Sequence, residues 1–245
     1  MPKRVLKTLY KPYKCFVYVP FIGVSTAVCG SLAVVGCSFF DPTRVSQTVG
    51  AFWARCNARA TPMPVCVEGR ENIAEGQSYV VCSNHQSHFD IFVLYGYLNT
   101  DIRWVMKQEL RKVPFLGLAC EKLGHIYIDR SDSSKAVASI NAAKDRIKNG
   151  TCVVFFPEGT RSQDGKLLRF KKGAFKMALD MGLPILPITI NGTKDVLPAK
   201  TLDLFPGKAR MRIHKPVDTS GYKEADVALL MQRVKDIIAS GLDPD

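Results

Sequence analysis

The segment YVVCSNHQSHFDIFVLYGYL, residues 79–98, contains the pattern that decides the fold. Its first residues, Tyr79 to Cys82, are mostly β-branched or aromatic and predict a short buried strand. The apolar run Ile91 to Leu98 predicts a helix, and Ser87 and Asp90 precede it with the spacing of a capping box. A strand that turns directly into a helix is typical of α/β proteins, whose ligands bind at the carboxyl ends of the strands.

The same alternation of strand and helix continues along the chain. Further β-rich runs are Ile102 to Met106, His125 to Ile128, Cys152 to Phe156, Ile185 to Ile190 and Ala209 to His214. The clearest helical pattern covers Ser134 to Asn149, and a C-terminal helix is indicated by Val227, Leu230, Val234, Ile237 and Ile238. We therefore predict an α/β fold with a largely parallel or mixed central sheet covered by helices.

The beginning of the chain has the composition of a membrane segment. Residues 15–40 form a run of 26 with no ionisable side chain except Tyr18 and the thiols, and five basic residues precede it. As one helix at about 1.5 Å per residue this run would be about 39 Å long, which exceeds a hydrocarbon core of about 30 Å. Because Pro20 and several glycines permit a bend, a helical hairpin and a straight span both stay open.

A break near residue 60 separates this segment from the globular part. The sequence TPMP at 61–64 ends any helix that runs from Thr43 to Ala60. We predict an N-terminal helical membrane anchor over residues 1–60 and a catalytic domain over residues 61–245. The basic N-terminus favours the cytoplasmic side, and eight cysteines without a CxxC pair indicate reduced thiols. A monotopic anchor that leaves the globular domain facing the cytoplasm satisfies both observations.

The charge of the chain indicates an acidic partner. Lys and Arg number 34 against 22 Asp and Glu, a net charge of +12. Nucleic acid, anionic lipid, an acidic carrier protein and a phosphorylated substrate would all match this charge. The run Lys166, Arg169, Lys171 and Lys172 is either a solvated face or a surface that attracts anionic lipid or an acidic carrier.

Motifs that are missing from the sequence remove several classes of enzyme. The chain contains no GxGxxG, GxxxxGK[ST], GxSxG or HExxH. Only four histidines occur, at 85, 88, 125 and 214, and two of them lie in the segment NHQSHFD. A metal-dependent hydrolase with His85, His88, Asp90 and His125 as ligands is one hypothesis for this cluster.

General base catalysis is a second hypothesis for the same segment. Residues five apart on a continuous helix point about 140° apart, but a turn followed by a helix start lets His85 and Asp90 meet. An imidazole held by a carboxylate has a fixed tautomer and can accept the proton of an alcohol. The capping box gives Ser87 and Asp90 a structural alternative.

Two arginines at predicted strand ends indicate a phosphate site. The loop Phe156 to Ser162 contains Arg161 beside Gly159, and the strand ending at Ile128 is followed by Arg130. The guanidinium fork suits bidentate phosphate binding, and glycine lets a ligand approach the backbone closely.

Taken together, these segments resemble the glycerophospholipid acyltransferases, most closely the bacterial 1-acyl-sn-glycerol-3-phosphate acyltransferases. NHQSHFD (84–90), GHIYIDR (124–130), FPEGTRS (156–162) and LPILPI (183–188) are similar to the four blocks of that family and follow the same order. Tyr127, where Phe is common, is a mild departure. The resemblance covers roughly residues 60–215.

The resemblance implies a role for each matching residue. His85 would be the general base and Asp90 its orienting partner. The substrate site would consist of Lys107, Arg130, Glu158, Gly159, Thr160, Arg161 and Pro187, with the glycerol phosphate held mainly by Glu158, Gly159 and the two arginines. Pro187 would shape the acyl or acceptor site. We infer no metal, because the carboxylates near the histidine pair are explained by other roles, and no cofactor, since acyl-CoA or acyl carrier protein would enter as the acyl-donor substrate.

The implied reaction transfers a fatty acyl group to the sn-2 hydroxyl of 1-acyl-sn-glycerol 3-phosphate and forms phosphatidic acid for phospholipid biosynthesis. Glycerol 3-phosphate or another lysolipid is the alternative acceptor, and a non-catalytic anionic-lipid-binding protein is the alternative outside enzymes. The expected partners are lysophosphatidate, an acyl thioester, anionic membrane lipid and acyl carrier protein, with no nucleic acid. The expected location is the inner (cytoplasmic) membrane, with the catalytic domain facing the cytoplasm.

Overall fold

A central mixed sheet organises the globular part of the chain. The computed structural model describes residues 3–129, 138–139 and 141–244. Within these residues seven strands form one sheet in the order β1-β7-β6-β2-β5-β3-β4. The strands are β1 Val65–Glu68, β2 Val80–Ser83, β3 Ile102–Lys107, β4 Ile126–Ile128, β5 Cys152–Phe155, β6 Ile185–Asn191 and β7 Ala209–Ile213. Neighbouring strands are parallel except β6 and β7, which run antiparallel. The predicted α/β fold class is therefore confirmed.

Helices cover both faces of this sheet. They are α1 Lys3–Tyr13, α2 Val19–Gly36, α3 Pro42–Val45, α4 Ala51–Ala60, α5 Phe89–Tyr97, α6 Leu116–Lys122, α7 Gly173–Met181, α8 Thr193–Val196 and α9 Val227–Ser240. The alternation of side chains along β2 separates two cores. Val81 packs in the layer that contains α4 and α5, whereas Val80 and Cys82 pack in the layer that contains α7 and α9.

The N-terminal residues form a helical hairpin. Helices α1 and α2 are joined by a π-helical turn, Lys14–Tyr18, so the first arm is continuous from residue 3 to residue 36. The chain reverses after Gly36, and Asp41 begins the second arm by accepting a hydrogen bond from the N–H of Thr43 at 2.8 Å. The second arm ends at Ala60, directly before the TPMP break.

The first arm has two faces with different surroundings. By length and composition, the helical stretch Thr8–Gly36 is the one in the described part of the chain that could cross a membrane. Cys29, Gly30 and Ala33 on one face are buried. Large apolar side chains on the other face are exposed, at Val17, Phe21, Val24, Val28, Leu32, Val35 and Phe39. These residues recur every three or four positions, so they form one apolar stripe along the helix.

The helix predicted over Ser134 to Asn149 is found only in part: residues 138, 139 and 141 are α-helical, but the α-helix does not continue to Asn149. Residues 130–137 and 140 lie outside the described part of the chain, as does the predicted phosphate ligand Arg130. The later part is a turn of 3-10 helix, Lys144–Arg146, with hydrogen bonds from residue i to i−3. Ala143 and Ile147 are buried as the periodicity predicts, but the chain reverses here to enter β5.

Candidate active site

The NHQSHFD segment begins where β2 leaves the sheet. The strand ends at Ser83, and the side chain of Asn84 then continues the pairing with β6. Its Nδ2 donates to the carbonyl of Ile190 at 2.8 Å, and its Oδ1 accepts from the N–H of Ile190 at 2.8 Å. Because Asn84 is buried and its side chain makes two hydrogen bonds to Ile190, the direction in which the chain enters the turn at His85 is fixed.

The Asp90 carboxylate organises the turn. Its Oδ2 lies 2.8 Å from Nδ1 of His85 and accepts the backbone N–H groups of Gln86 at 2.7 Å and Ser87 at 2.9 Å. Its Oδ1 accepts the hydroxyl of Thr193, and the side chain is fully buried. One carboxylate therefore holds both the turn that leads into α5 and the histidine. The predicted capping box is half formed, because the N–H of Ser87 donates to Asp90 whereas Oγ of Ser87 accepts the N–H of Phe89.

This arrangement fixes the chemistry of the His85 ring. In the tautomer with its proton on Nδ1, the ring donates to Asp90 and the lone pair on Nε2 is left to accept a proton. The ring stacks on Phe156 with centroids 3.8 Å apart and planes 11° apart, and 15% of the side chain is exposed. His85 is therefore held on one edge and one face while remaining in contact with an adjoining cavity.

The FPEGTRS segment holds the backbone of His85 from the other side. Oε1 of Glu158 accepts the N–H of His85 at 2.8 Å, and Oε2 accepts the N–H of Leu168 at 2.9 Å. The N–H of Ser162 donates to the carbonyl of His85 at 2.8 Å. Burial raises the pKa of the Glu158 carboxyl, and the two backbone donors oppose that shift. Both carboxylate oxygens of Glu158 thus contact the protein itself, whereas its role as a substrate ligand stays a prediction.

The other predicted substrate residues lie in different places. Gly159, Thr160 and Arg161 line the same cavity as His85. Lys107 also lines it, and its Nζ lies 2.7 Å from Oε1 of Glu109 in an exposed ion pair. Pro187 is buried within β6 beside Cys82 and is not among the residues that line this cavity.

The cavity is large and mainly apolar. It has a volume of about 840 Å³ and extends from His85 and Arg161 to the buried face of α2, including Gly30 and Ala33. Its remaining walls include the apolar side chains of Ile22, Trp53, Phe92, Tyr95, Trp104, Met106 and Phe115. The predicted membrane anchor therefore also supplies a wall of the cavity, through helix α2, which the sequence analysis did not predict.

The surroundings of His125 and His88 both lower the pKa of the imidazole. His125 is buried, and burial together with the charge of Arg103 lowers its pKa from 6.5 to about 3. Partial desolvation and the charge of Arg161 lower the pKa of His88. Among the described residues, no three His, Cys, Asp or Glu side chains are grouped so that they could hold a metal ion.

The state of His125 predicts a change in pH dependence. Below pH 6.5 the unfolded chain binds a proton at this histidine that the folded protein does not bind until about pH 3. The free energy of unfolding should therefore decrease by roughly 1.4 kcal/mol for each unit by which the pH falls within that window. In His125→Asn this contribution disappears, so the thermal midpoint measured in detergent should fall less between pH 7 and pH 5 than in the wild type. Parallel profiles would show that His125 is not neutral in the folded protein.

Comparisons with known proteins match these blocks. The Acyltransferase family model covers residues 64–191, just over half of the chain. A chloroplastic 1-acyl-sn-glycerol-3-phosphate acyltransferase of Arabidopsis thaliana is 33% identical over 228 residues, which are 90% of this chain and 62% of that protein. The 1-acyl-sn-glycerol-3-phosphate acyltransferase of Saccharomyces cerevisiae is 32% identical over 84% of this chain and 72% of its own length. The chain thus spans about three fifths of the plant relative.

A solved structure gives the same result for the fold. The crystal structure of PlsC, the 1-acyl-sn-glycerophosphate (LPA) acyltransferase of Thermotoga maritima, superposes with a TM-score of 0.80 at 29% identity. The superposition covers 98% of this chain and 95% of that one, so the N-terminal hairpin is included. The region that matches the family model includes the residues of the His85 turn and of the Glu158 loop. The chain therefore belongs to the Acyltransferase family.

Proposed function

We propose that this protein transfers a fatty acyl group from an acyl thioester to the sn-2 hydroxyl of 1-acyl-sn-glycerol 3-phosphate and so forms phosphatidic acid. The observation that supports this most directly is the His85–Asp90 pair, which adjoins an apolar cavity of about 840 Å³ beside Arg161. An apolar cavity suits fatty acyl chains, a guanidinium suits the phosphate, and the histidine suits deprotonation of an alcohol.

The reaction needs only proton transfer and acyl transfer between the two substrates. Nε2 of His85 takes the proton of the sn-2 hydroxyl while its oxygen attacks the thioester carbonyl carbon and forms the new C–O bond. The C–S bond then breaks, and the imidazolium returns the proton to the departing thiolate. Asp90 stabilises the imidazolium, while Glu158 and Ser162 hold the histidine backbone in position.

Different observations support the proposed acyl acceptor and the proposed acyl donor. Lysophosphatidate is favoured over glycerol 3-phosphate because the cavity beside Arg161 is lined mainly by apolar side chains, and because the relatives named above act on 1-acyl-sn-glycerol 3-phosphate. Acyl-CoA and acyl carrier protein are both acidic, and the net charge of +12 suits either. Arg161, Gly159, Thr160, Arg130 and Lys107 are the proposed phosphate ligands.

Transfer of a labelled acyl group from acyl-CoA to lysophosphatidate, measured in detergent with EDTA present, tests this function. Phosphatidate should form in the presence of the chelator. If activity requires an added metal ion, the metal-dependent hydrolase hypothesis gains support. If no phosphatidate forms with acyl-CoA or acyl carrier protein, and no glycerol 3-phosphate or other lysolipid is acylated, the proposed acyl transfer is refuted.

We also propose that the hairpin holds the protein on the inner (cytoplasmic) membrane as a monotopic anchor, with the catalytic domain facing the cytoplasm. The exposed apolar stripe of the first arm supports insertion, and the basic residues before it support contact with anionic lipid. All eight cysteines are free thiols, as suits a reducing compartment.

Charges on this stripe should weaken membrane binding. Val24 and Val28 are 63% and 52% exposed, so replacing both by glutamate leaves the core intact but places charges in the lipid. Because a charged side chain near the middle of the membrane costs roughly 2.5 to 3.5 kcal/mol, the double variant should pellet with liposomes at least tenfold less efficiently. Leu229→Glu is the control, since Leu229 is equally exposed, at 64%, on the α9 side. Unchanged pelleting of the double variant would contradict the anchor.

A further inference from the structure

We propose that Lys171 binds the phosphate of the acceptor together with Arg161, and that it reaches the site by lying across Gly159. This inference rests on the proposed function and extends its phosphate site to a lysine outside the blocks of the family resemblance. From the sequence, Lys171 belongs to a basic run that could equally be a solvated face.

The path of the Lys171 side chain is defined by a glycine. Gly159 has φ of 70°, and a Cβ added there would lie 2.8 Å from both Cε and Nζ of Lys171 and 3.2 Å from its Cδ. The aliphatic stem of Lys171 therefore occupies the space that any other residue at 159 would fill. The backbone N–H of Lys171 donates to the carbonyl of Pro157 at 2.8 Å, which ties the start of this side chain to the same loop.

The loop that Lys171 crosses is part of the cavity wall. Gly159, Thr160 and Arg161 line the cavity that contains His85. Lys171 is exposed and is not itself a lining residue, but its ammonium group lies against Gly159, two positions from Arg161. A phosphate on the glycerol backbone of the acceptor must stay close to the sn-2 hydroxyl that reacts at His85. A flexible lysine that crosses Gly159 would therefore be within reach of that phosphate.

The charges of these two side chains are available to a ligand. In the described part of the chain, no carboxylate forms an ion pair with Lys171 or Arg161, whereas Lys176 pairs with Glu224 at 2.8 Å and Lys144 pairs with Asp180 at 3.3 Å. The nearby Glu158 is buried and directs both oxygens to backbone N–H groups. Two unpaired cations on one loop can bind a phosphate dianion through charge-assisted hydrogen bonds.

Binding of the acceptor can be measured without turnover. Both tryptophans of the chain, Trp53 and Trp104, line the cavity, so their fluorescence should report occupancy. We would titrate the purified full chain in detergent with lysophosphatidate and with a monoacylglycerol of the same chain length, which lacks the phosphate. Lys171→Ala should bind lysophosphatidate about 10- to 100-fold more weakly, as expected for loss of a hydrogen bond to a charged group, and should bind the monoacylglycerol like the wild type.

Two variants and one parallel assay make the result decisive. Lys172→Ala, the neighbouring exposed lysine, should bind both lipids like the wild type, and Lys171→Arg should recover most of the lysophosphatidate affinity. Unchanged lysophosphatidate binding in Lys171→Ala, or an equal loss for both lipids, would overturn the proposal. If Lys171-dependent binding is found but the wild type forms no phosphatidate, the proposed acyl transfer fails while the phosphate site stands.

Discussion

Replacing His85 by alanine is expected to lower the turnover number by roughly 10²- to 10⁴-fold, the range typical of a lost general base. The fold should survive, because the backbone hydrogen bonds of His85 to Glu158 and Ser162 do not depend on its side chain. Asp90 would lose one donor and keep the N–H groups of Gln86 and Ser87 and the hydroxyl of Thr193. Phosphatidate formation at saturating substrate measures the effect.

The matched control for this variant is His88→Ala. His88 lies in the same segment, but the proposed mechanism does not use it, so turnover should stay within a few-fold of the wild type. The thermal midpoint of each variant in detergent shows whether it is folded. Near-normal turnover in His85→Ala would refute its role as the base, and equal losses in both variants would favour a site that uses both histidines, as the metal-ligand hypothesis requires.

Asp90→Asn is expected to have an effect of similar size for a different reason. The carboxylate accepts hydrogen bonds from His85, Gln86, Ser87 and Thr193, whereas an amide has one oxygen to accept and an NH₂ group that must donate. An Asn that donated to Nδ1 would force the His85 proton onto Nε2, the wrong tautomer for a base. We expect a loss of about 10³- to 10⁴-fold in turnover.

The same substitution should also reduce stability, which separates it from His85→Ala. Asp90 is fully buried and holds the turn before α5, so losing some of its hydrogen bonds should cost about 1 to 3 kcal/mol. Ser87→Ala is the control for a loss of stability in the same turn, because Ser87 Oγ accepts the N–H of Phe89 at 3.2 Å and donates to the carbonyl of Leu197 at 2.7 Å without contacting the imidazole. It should lower the thermal midpoint and leave most of the turnover. Wild-type turnover in Asp90→Asn would contradict the orienting role.

The N-terminal hairpin and the candidate active site are not independent parts of this molecule. Gly30 and Ala33 of α2 form part of the cavity wall, and a Cβ at Gly30 would lie 3.0 Å from the backbone oxygen of Phe115. Removing the first arm would therefore open the cavity as well as remove the apolar stripe. Membrane binding is better tested on the outward face, at Val24 and Val28, than by truncation.

The amino-acid sequence by itself determined the features that depend on local periodicity and turn chemistry. Six of the strands, the helix over Val227–Ser240 and the break after Ala60 could all be predicted in this way. The contact between His85 and Asp90 could be predicted as well, because five residues and one turn bring them together. The edge strand Val65–Glu68 was missed, since four residues that pair only with β7 give too short a pattern.

Only the tertiary structure decided which distant segments complete the site. Thr193 lies 103 positions from Asp90 and donates a hydrogen bond to it. Glu158 lies 73 positions from His85 and accepts the hydrogen bond of its backbone N–H. Local sequence patterns likewise do not predict that Lys171 packs against Gly159 or that α2 lines the cavity. The physical reason is that side-chain periodicity records which face of an element is buried, whereas the partner of a buried polar group is set by how the elements pack around the sheet.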